Sequence, residues 1–432
     1  MESSKNEGEV SRPGSSINPY HLIGLSLLVF VIAAFSLDSF DQMGKGLSAI
    51  LSSSALLPTD FIAVGGIGAS LLNATFTGLF SLSIAKLAKV EANGSSITTI
   101  WFSIGFSFVG KHVLSMIPLI LGVWLYTRFQ KVPFKNYFLI ALLSSTLVPI
   151  TNEFRAAAIV NSMMSTIVAI LLGMLIGFLF PIISAATLKV HGGYNLYNMG
   201  FAGGIIAFFV AGFSSRFGLS IERVIVASRG NNLTLGIVMY LISVMWCLFS
   251  LLSGASIPEI VKSQKSILSH SGRLTTDYFQ LYGEKTYLNM GIMGIYGTTV
   301  ALLCQIPLNG VSMAGIFTLI GFGAFGKHLR NCIPVMGGVI LFAHFISTPL
   351  DSPDNILAVL FCTGLAPIGG KFGWIWGIVS GVLHMGVVSH IGQVTSGLNL
   401  YNNGFSAGFV ALVLVPIILA FKKNSREQEE NK

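Results

Sequence analysis

The sequence predicts an all-α, multi-pass membrane protein made of two inverted-topology repeats of about seven hydrophobic segments each, some short, broken or re-entrant. Three observations predict it. The chain is 53% hydrophobic and 10% charged, with a mean hydropathy of +0.77, whereas soluble domains carry roughly 25% charged residues. Long apolar runs recur from residue 20 to residue 420 without alternating polar positions. In lipid such runs must be helical, because the bilayer core offers no partner for a free N–H or C=O, and barrel strands would alternate. Third, residues 72–130 match residues 288–346 without a gap at a shift of 216 positions. Leu72-Asn73 returns as Leu288-Asn289, Asn93-Gly94 as Asn309-Gly310, Gly110-Lys111-His112 as Gly326-Lys327-His328, and Ile117-Pro118 as Ile333-Pro334. Duplicated hydrophobic halves build one pathway at their interface in solute transporters and channels.

Residues 1–19 are polar and rich in Ser, Gly and Glu, and are predicted to form a disordered cytoplasmic N-terminus. The run Leu22–Leu37 has the length of a signal-peptide core. Shifted by 216, however, it lands on the apolar run near Val238–Ser253, which is internal, so it is read as the first helix. Repeat 1 (20–215) holds segments near 20–37, 61–87, 95–110, 113–128, 137–150, 156–187 and 194–213. A linker (216–234) leads to repeat 2 (235–420), with segments near 235–252, 286–304, 310–326, 331–347, 355–369, 374–392 and 398–420. A cytoplasmic tail (421–432) follows. Several segments have only about 14–16 residues, fewer than the roughly 17–25 needed to span. Only Gly-Lys-His separates the third from the fourth segment of each repeat, which predicts a tight tip at mid-depth.

An odd number of segments makes the second repeat enter from the opposite face. With both termini cytoplasmic, the loops assigned to the cytoplasm carry most of the Lys and Arg residues, as the positive-inside rule requires. Arg128, Lys131 and Lys135 follow the fourth segment, while its counterpart ends in Asp351 and Asp354. Lys86 and Lys89 follow the second, where the counterpart reads Gln305-Ile306-Pro307-Leu308. Arg216, Arg223 and Arg229, on an outer loop, are the exception.

The clearest polar motif is Asn195-Leu-Tyr197-Asn198-x-Gly200-Phe201, repeated as Asn399-Leu-Tyr401-Asn402-x-Gly404-Phe405. Each copy opens a stretch of helical length. Asn caps free N–H groups, and the positive end of a helix faces anions or polar solutes. These residues are expected to bind the solute, with capping and headgroup anchoring as the plain alternative. Gly200/Gly204 and Gly404/Gly408 give small-xxx-small spacing, which lets helices approach closely. Lys111, His112, Lys327 and His328 mark a pathway for an anion or a proton if the tips lie at depth, and Lys merely snorkels if they do not. Arg330 stands where the first copy has Leu114. Asn73 and Asn289, kept through the duplication, are expected to line the cavity. Pro149 and Pro367 predict a break in each fifth segment, with freed carbonyls facing a cavity. His384 is expected to be a hydrogen-bonded packing residue, and Glu153 with Arg155 a loop ion pair.

Other classes are poorly served. Net charge is +8, but Lys and Arg are spread over short loops without a basic face, so attraction to membrane lipids is favoured and nucleic acid is excluded. The four cysteines stand singly, so no metal site or disulfide framework is expected. Walker A, HExxH and GxSxG sequences are absent, and no cofactor and no enzymatic activity are expected.

The paired N-L-Y-N-x-G-F and G-K-H motifs resemble those of an uncharacterised bacterial family of multi-pass membrane proteins grouped as a domain of unknown function. The resemblance covers residues 20–420 and implies a bacterial inner-membrane location without naming a substrate. In architecture alone, seven-plus-seven inverted repeats with broken helices are similar to the nucleobase and sulfate/bicarbonate transporters, and five-plus-five repeats to urea channels. The expected function is a transporter (facilitator, exchanger or secondary transporter) for a small polar or anionic solute bound between the repeats. A channel of urea-channel-like architecture and a membrane-embedded enzyme acting on a lipid-linked substrate are the alternatives. A homo-oligomer is compatible with this reading.

Overall fold

The structure is a computed structural model that describes the backbone of residues 17–53, 55–156, 162–216, 221 and 225–430, and side chains as far as residue 422. The N-terminal residues 1–16 and Arg223 lie outside the described residues.

The first half runs α1 (Pro19–Leu37), α2 (Phe40–Ser52), α3 (Phe61–Gly65), α4 (Ile67–Leu87), α5 (Gly94–Phe106), α6 (Val113–Phe129), α7 (Phe138–Ser144), α8 (Val148–Ala156), α9 (Ser162–His191) and α10 (Asn198–Arg216). The second runs α11 (Asn232–Leu251), α12 (Ile257–Ile267), α13 (Tyr278–Tyr282), α14 (Tyr287–Leu303), α15 (Gly310–Phe322), α16 (Leu329–Phe345), α17 (Pro353–Phe361), α18 (Ala366–Phe372), α19 (Trp374–Val394) and α20 (Asn402–Glu430). The two lists correspond element for element, and α5/α15 and α6/α16 keep the same shift of 216 at both ends. Two short helical pairs, α2–α3 and α12–α13, belong to this correspondence; α2, α12 and α13 stand outside the fourteen apolar segments, while α3 takes the start of the second. Helix α20 continues through the tail to Glu430.

Among the described residues, nine helical stretches are long and apolar enough to cross a membrane, so the chain is a multi-pass membrane protein. Helices α5 and α15 are not among them. Each has 13 residues, about 20 Å at 1.5 Å per residue, against a hydrocarbon core of roughly 30 Å. α15 is wholly buried and α5 is buried at every residue but Ser95, so they form the centre of the molecule. They pack on each other, with Gly105 against Ala314 and Phe317, Gly321 against Trp101, and Thr98 Oγ1 donating to the Gly321 carbonyl at 2.8 Å.

The fifth segments are broken as the prolines predict. A 3-10 turn at Ser145–Leu147 separates α7 from α8, and one at Cys362–Leu365 separates α17 from α18, with Pro149 and Pro367 just inside the following helices. Broken helices need protein around them because lipid satisfies no freed carbonyl. Accordingly the most apolar 18 residues of Phe134–Ala156 and of Pro353–Phe372 are 72% and 89% buried, against 33% for those of α1 and α9, which present apolar side chains outward.

Contacts between loops gather them into two sets. In one, Tyr20 Oη donates to the Val90 carbonyl (3.4 Å), Tyr287 Oη to the Ile17 carbonyl (3.2 Å), and Arg273 Nη2 to the Gly192 carbonyl (2.5 Å). In the other, Leu308 N–H donates to Asn232 Oδ1 (2.8 Å), Leu57 N–H to the Gly397 carbonyl (3.0 Å), and Arg155 Nη2 to the Leu51 carbonyl (3.5 Å), while Arg229 pairs with Asp351 at 2.8 Å. Arg155 thus serves Leu51, and Glu153 Oε1 is buried without a hydrogen-bond partner among the described residues; the expected Glu153–Arg155 pair does not account for either.

Candidate functional site

Each Gly-Lys-His tip turns the chain directly after a half-length helix. Gly110 and Gly326 sit at φ +130° and +88°, in the region that side chains with a Cβ avoid. The next turn is capped from within. His112 Nδ1 accepts from the Ser115 N–H at 3.3 Å while Ser115 Oγ accepts from the His112 N–H, and His328 forms the same box with Asn331. The histidines therefore start α6 and α16. Asn73 Nδ2 donates to the Ser107 and Lys111 carbonyls, both at 2.7 Å, and Asn289 Nδ2 to those of Gly323 (2.7 Å) and Lys327 (2.8 Å). Carbonyls at the end of a helix lack internal partners, and a four-residue turn of the chain is here pinned by one amide on each side.

Lys111 and Lys327 are completely buried. Lys111 Nζ donates to Tyr401 Oη and lies 4.7 Å from that ring's centre. Lys327 Nζ donates to Tyr197 Oη, lies 4.5 Å from that ring's centre, and also reaches Thr363 Oγ1 at 2.9 Å. Each lysine thus meets the tyrosine of the opposite half. Neither has a carboxylate partner among the described residues.

The N-L-Y-N loops cross between the halves. Asn195 Nδ2 donates to the Gly404 carbonyl at 2.9 Å and Asn399 Nδ2 to the Gly200 carbonyl at 3.0 Å, while their Oδ1 atoms accept from Tyr197 N–H and Tyr401 N–H. Leu196 N–H donates to the Gly364 carbonyl and Leu400 N–H to that of Thr146, both at 2.9 Å. Carbonyls in the broken fifth segments thus pair with the opposite loop and not with a cavity. Asn198 Oδ1 accepts from Thr187 Oγ1 and His191 Nε2, each at 2.9 Å, its Nδ2 donates to Ser184, and Asn402 Oδ1 accepts from Thr395 Oγ1 at 3.0 Å. A Cβ on Gly200 would strike Tyr401 and Gly404, and one on Gly404 would strike Tyr197 and Gly200, so α10 and α20 touch at these glycines. His384 Nε2 donates to Asn403 Oδ1 at 3.0 Å.

The loops and tips surround a partition of Tyr197, Tyr401 and Phe102, with the Phe102 ring centre 4.4 Å from that of Tyr401. On one side lies a cavity of about 210 Å³, bounded by this partition, Phe322, Leu139, Leu196 and the Ser95–Thr99 turn of α5. The matching position on the other side is bounded by Phe106, Leu357, Leu400, Asn403 and Gly404, the repeat partners of Phe322, Leu139, Leu196, Met199 and Gly200. It holds no space for a water-sized sphere. Tyr197 and Tyr401 border both positions. Of the residues picked out by sequence, Tyr197, Asn198, Gly200 and Tyr401 touch the open cavity; the two lysines stand behind the phenols, and Asn73, Asn289, Asn195, Asn399, His112 and His328 hold backbone.

Two carboxylates escaped the sequence reading. Asp60, fully buried on the first half, accepts from Gly310 N–H (2.9 Å) at the start of α15, from Ile62 N–H (2.8 Å), and from the N–H and hydroxyl of Ser228 (2.7 and 2.6 Å). Asp277 on the second half accepts from Gly94 N–H (2.9 Å) and Ser95 N–H (3.4 Å) at the start of α5, and from Gln280 N–H (2.9 Å). Each half caps the central half-helix of the other. The signal was Thr59-Asp60-Phe61 against Thr276-Asp277-Tyr278, hidden because its shift is one residue larger than that of the matched block. Burial lifts the Asp277 carboxyl above the usual range, with the backbone donors pulling the other way.

Among the described residues, no group of His, Cys, Asp and Glu is arranged to hold a metal ion. No curated protein and no solved structure matches this chain. A family model does match, over residues 40–216 and 256–420. The chain, with its paired tips and crossed N-L-Y-N loops, belongs to the family described as "Protein of unknown function (DUF1576)".

Proposed function

We propose that the protein carries a small polar or anionic solute across the membrane by alternating access between two antiparallel halves. The observation that carries this reading is the unequal pair of cavities: one open and one closed position, bounded by equivalent residues on either side of the shared tyrosines. Exchanging the conformations of the two halves opens the closed position and closes the open one, which is alternating access around a fixed partition. A channel would keep both open at once.

The two loop sets support the antiparallel arrangement. Helix α1 begins in the set containing Val90, Gly192 and Arg273, while α11 begins in the set containing Leu57, Leu308 and Asp351. The first set carries Lys86, Lys89, Lys262, Lys265 and Lys285 and is the cytoplasmic side under the positive-inside rule. The open cavity then faces the cytoplasm, since Ser95 and Leu274 border it. The start of α1 and Lys422 of α20, which lies over the Phe372 ring, fall on the same side.

Leu139→Cys and Leu357→Cys, made separately with Cys247 and Cys304 replaced by Ala, test the reading in sealed vesicles. Leu139→Cys should react with an impermeant thiol reagent from the cytoplasmic side only. Leu357→Cys should react from the outside only, and conditions that raise one should lower the other. Simultaneous full reaction at both positions would indicate a pore and contradict alternating access.

A further inference from the structure

Where a spanning helix ends in the second half, the chain lays a short helix along the membrane surface. Helix α12 follows the end of α11, which is long and apolar enough to cross, and packs against α14 and the Gly283–Thr286 turn. It therefore sits where α11 meets the lipid headgroups. The α12 side chains divide among three faces. Ile260, Ser263 and Ile267 are buried against the protein. Ile257 and Val261, one turn apart, are 67% and 43% exposed, and Leu251 and Leu252 at the end of α11 are exposed too. Lys265, one turn further along the Ile257–Val261 ridge, and Lys262 on the next ridge are exposed beside them. Apolar side chains left open and flanked by lysines mark a helix lying in the interface: the alkyl groups reach the acyl chains, and the lysine stems carry charge up to the headgroups.

Charge decides the kind of lipid. Glu259, the one acid of α12, is committed to the helix start, where its Oε2 accepts from the Ser256 N–H and hydroxyl, both at 2.8 Å, and the Lys285 charge reaches it. Lys262 and Lys265 have no carboxylate within salt-bridge distance among the described residues. The corresponding helix of the first half, α2, differs on this point alone. It too leaves apolar side chains open, Phe40 and Leu51, but its one lysine, Lys45, pairs with its one acid, Asp41, at 2.6 Å. One interfacial helix is self-neutralised and the other is not. The orientation of α12 is also anchored. Gln264 Nε2 donates to Asn289 Oδ1 at 3.1 Å, and Asn289 in turn holds the Gly323 and Lys327 carbonyls of the second tip.

We propose that α12 is a docking surface for anionic lipid, with Ile257 and Val261 entering the acyl-chain region and Lys262 and Lys265 holding headgroups of net negative charge. The surface goes beyond the transport reading and is independent of what the central cavity carries.

Fluorescence quenching in lipid nanodiscs tests it. Val261→Cys and Phe40→Cys, each with Cys247 and Cys304 replaced by Ala, are labelled with a fluorophore in phosphatidylcholine discs. Phosphatidylglycerol or phosphatidylcholine spin-labelled on an acyl chain is then added. At position 261 the phosphatidylglycerol should quench at concentrations roughly fivefold or more below those of phosphatidylcholine, the factor one surface lysine supplies. Lys262→Gln/Lys265→Gln should remove that preference, and position 40 should show none. Equal quenching by the two lipids at 261, a preference that survives the lysine variant, or the same preference at position 40 would overturn the proposal. So would quenching at 261 by aqueous iodide and by neither lipid, which would leave that face to water or to an acidic protein. Should the labelled variant not fold, the unlabelled parent in detergent must show an unfolding midpoint that rises at lower phosphatidylglycerol than phosphatidylcholine concentration. The lysine variant must lose that difference, and its persistence there would equally sink the assignment.

Discussion

Asn195, Asn399, Lys111 and Lys327 join the two halves, and each reaches a group on the opposite one. The two asparagines spend amide hydrogens on helix-start carbonyls, bonds worth about 0.6–1.7 kcal/mol in a membrane interior. Asn195→Ala should lower stability by about that much, seen as a shift in the unfolding midpoint, and Asn399→Ala should match it. A null effect at both would mean these bonds do not hold the loops. The histidines separate capping from transport. His112→Asn keeps an acceptor at the cap and should leave both stability and flux near the parent, whereas His112→Ala should cost about 1 kcal/mol. Loss of flux in His112→Asn with full stability would place the ring in the pathway. These roles were half legible. The repeats showed that Asn73, Lys111 and His112 matter as a block, since all recur at one shift. They could not show that the asparagines and histidines face backbone, because a polar residue kept through duplication looks alike whether it binds a solute or a carbonyl.

Among elements, α5 and α15 decide the geometry. They are too short to span, and each is capped by an aspartate from the other half. Asp60→Ala strands four donors and should destabilise by at least about 2 kcal/mol, more than Asp277→Ala, which strands three, one of them long. Equal costs would show that the Asp60 latch is not the tighter one. The two carboxylates also differ in exposure, Asp60 being buried and Asp277 half-buried. Because the folded Asp277 carboxyl is lifted above its unfolded value, its ionisation opposes folding. Its contribution to stability is greatest below the usual carboxylate range and is lost as pH rises through the folded value. The difference between parent and Asp277→Asn, an uncharged isostere, should trace that slope in midpoints measured against pH. A flat difference would contradict the lifted carboxyl. Apolar length made α5 and α15 readable as short segments, and proline made the breaks in the fifth segments readable. The capping exchange was not, because a carboxylate's partner across two loops leaves no mark in local periodicity.

The whole molecule is a pseudo-symmetric pair caught in one asymmetric arrangement: equivalent walls, one open cavity and one closed. The apolar, helical, multi-pass class was legible because lipid imposes it on composition. The asymmetry was not, since two conformations of one fold share one sequence. Arg229, one of the three bases at odds with the charge rule, pairs with Asp351, so its charge is offset on the same side. Everything in the transport reading requires that equivalent loops emerge on opposite faces. Single cysteines at Lys135 and Asp351, probed with an impermeant thiol reagent in sealed right-side-out and inverted vesicles, measure this directly. The account predicts that Lys135→Cys reacts only in inverted vesicles and Asp351→Cys only in right-side-out ones; reaction of both in the same vesicles would contradict it.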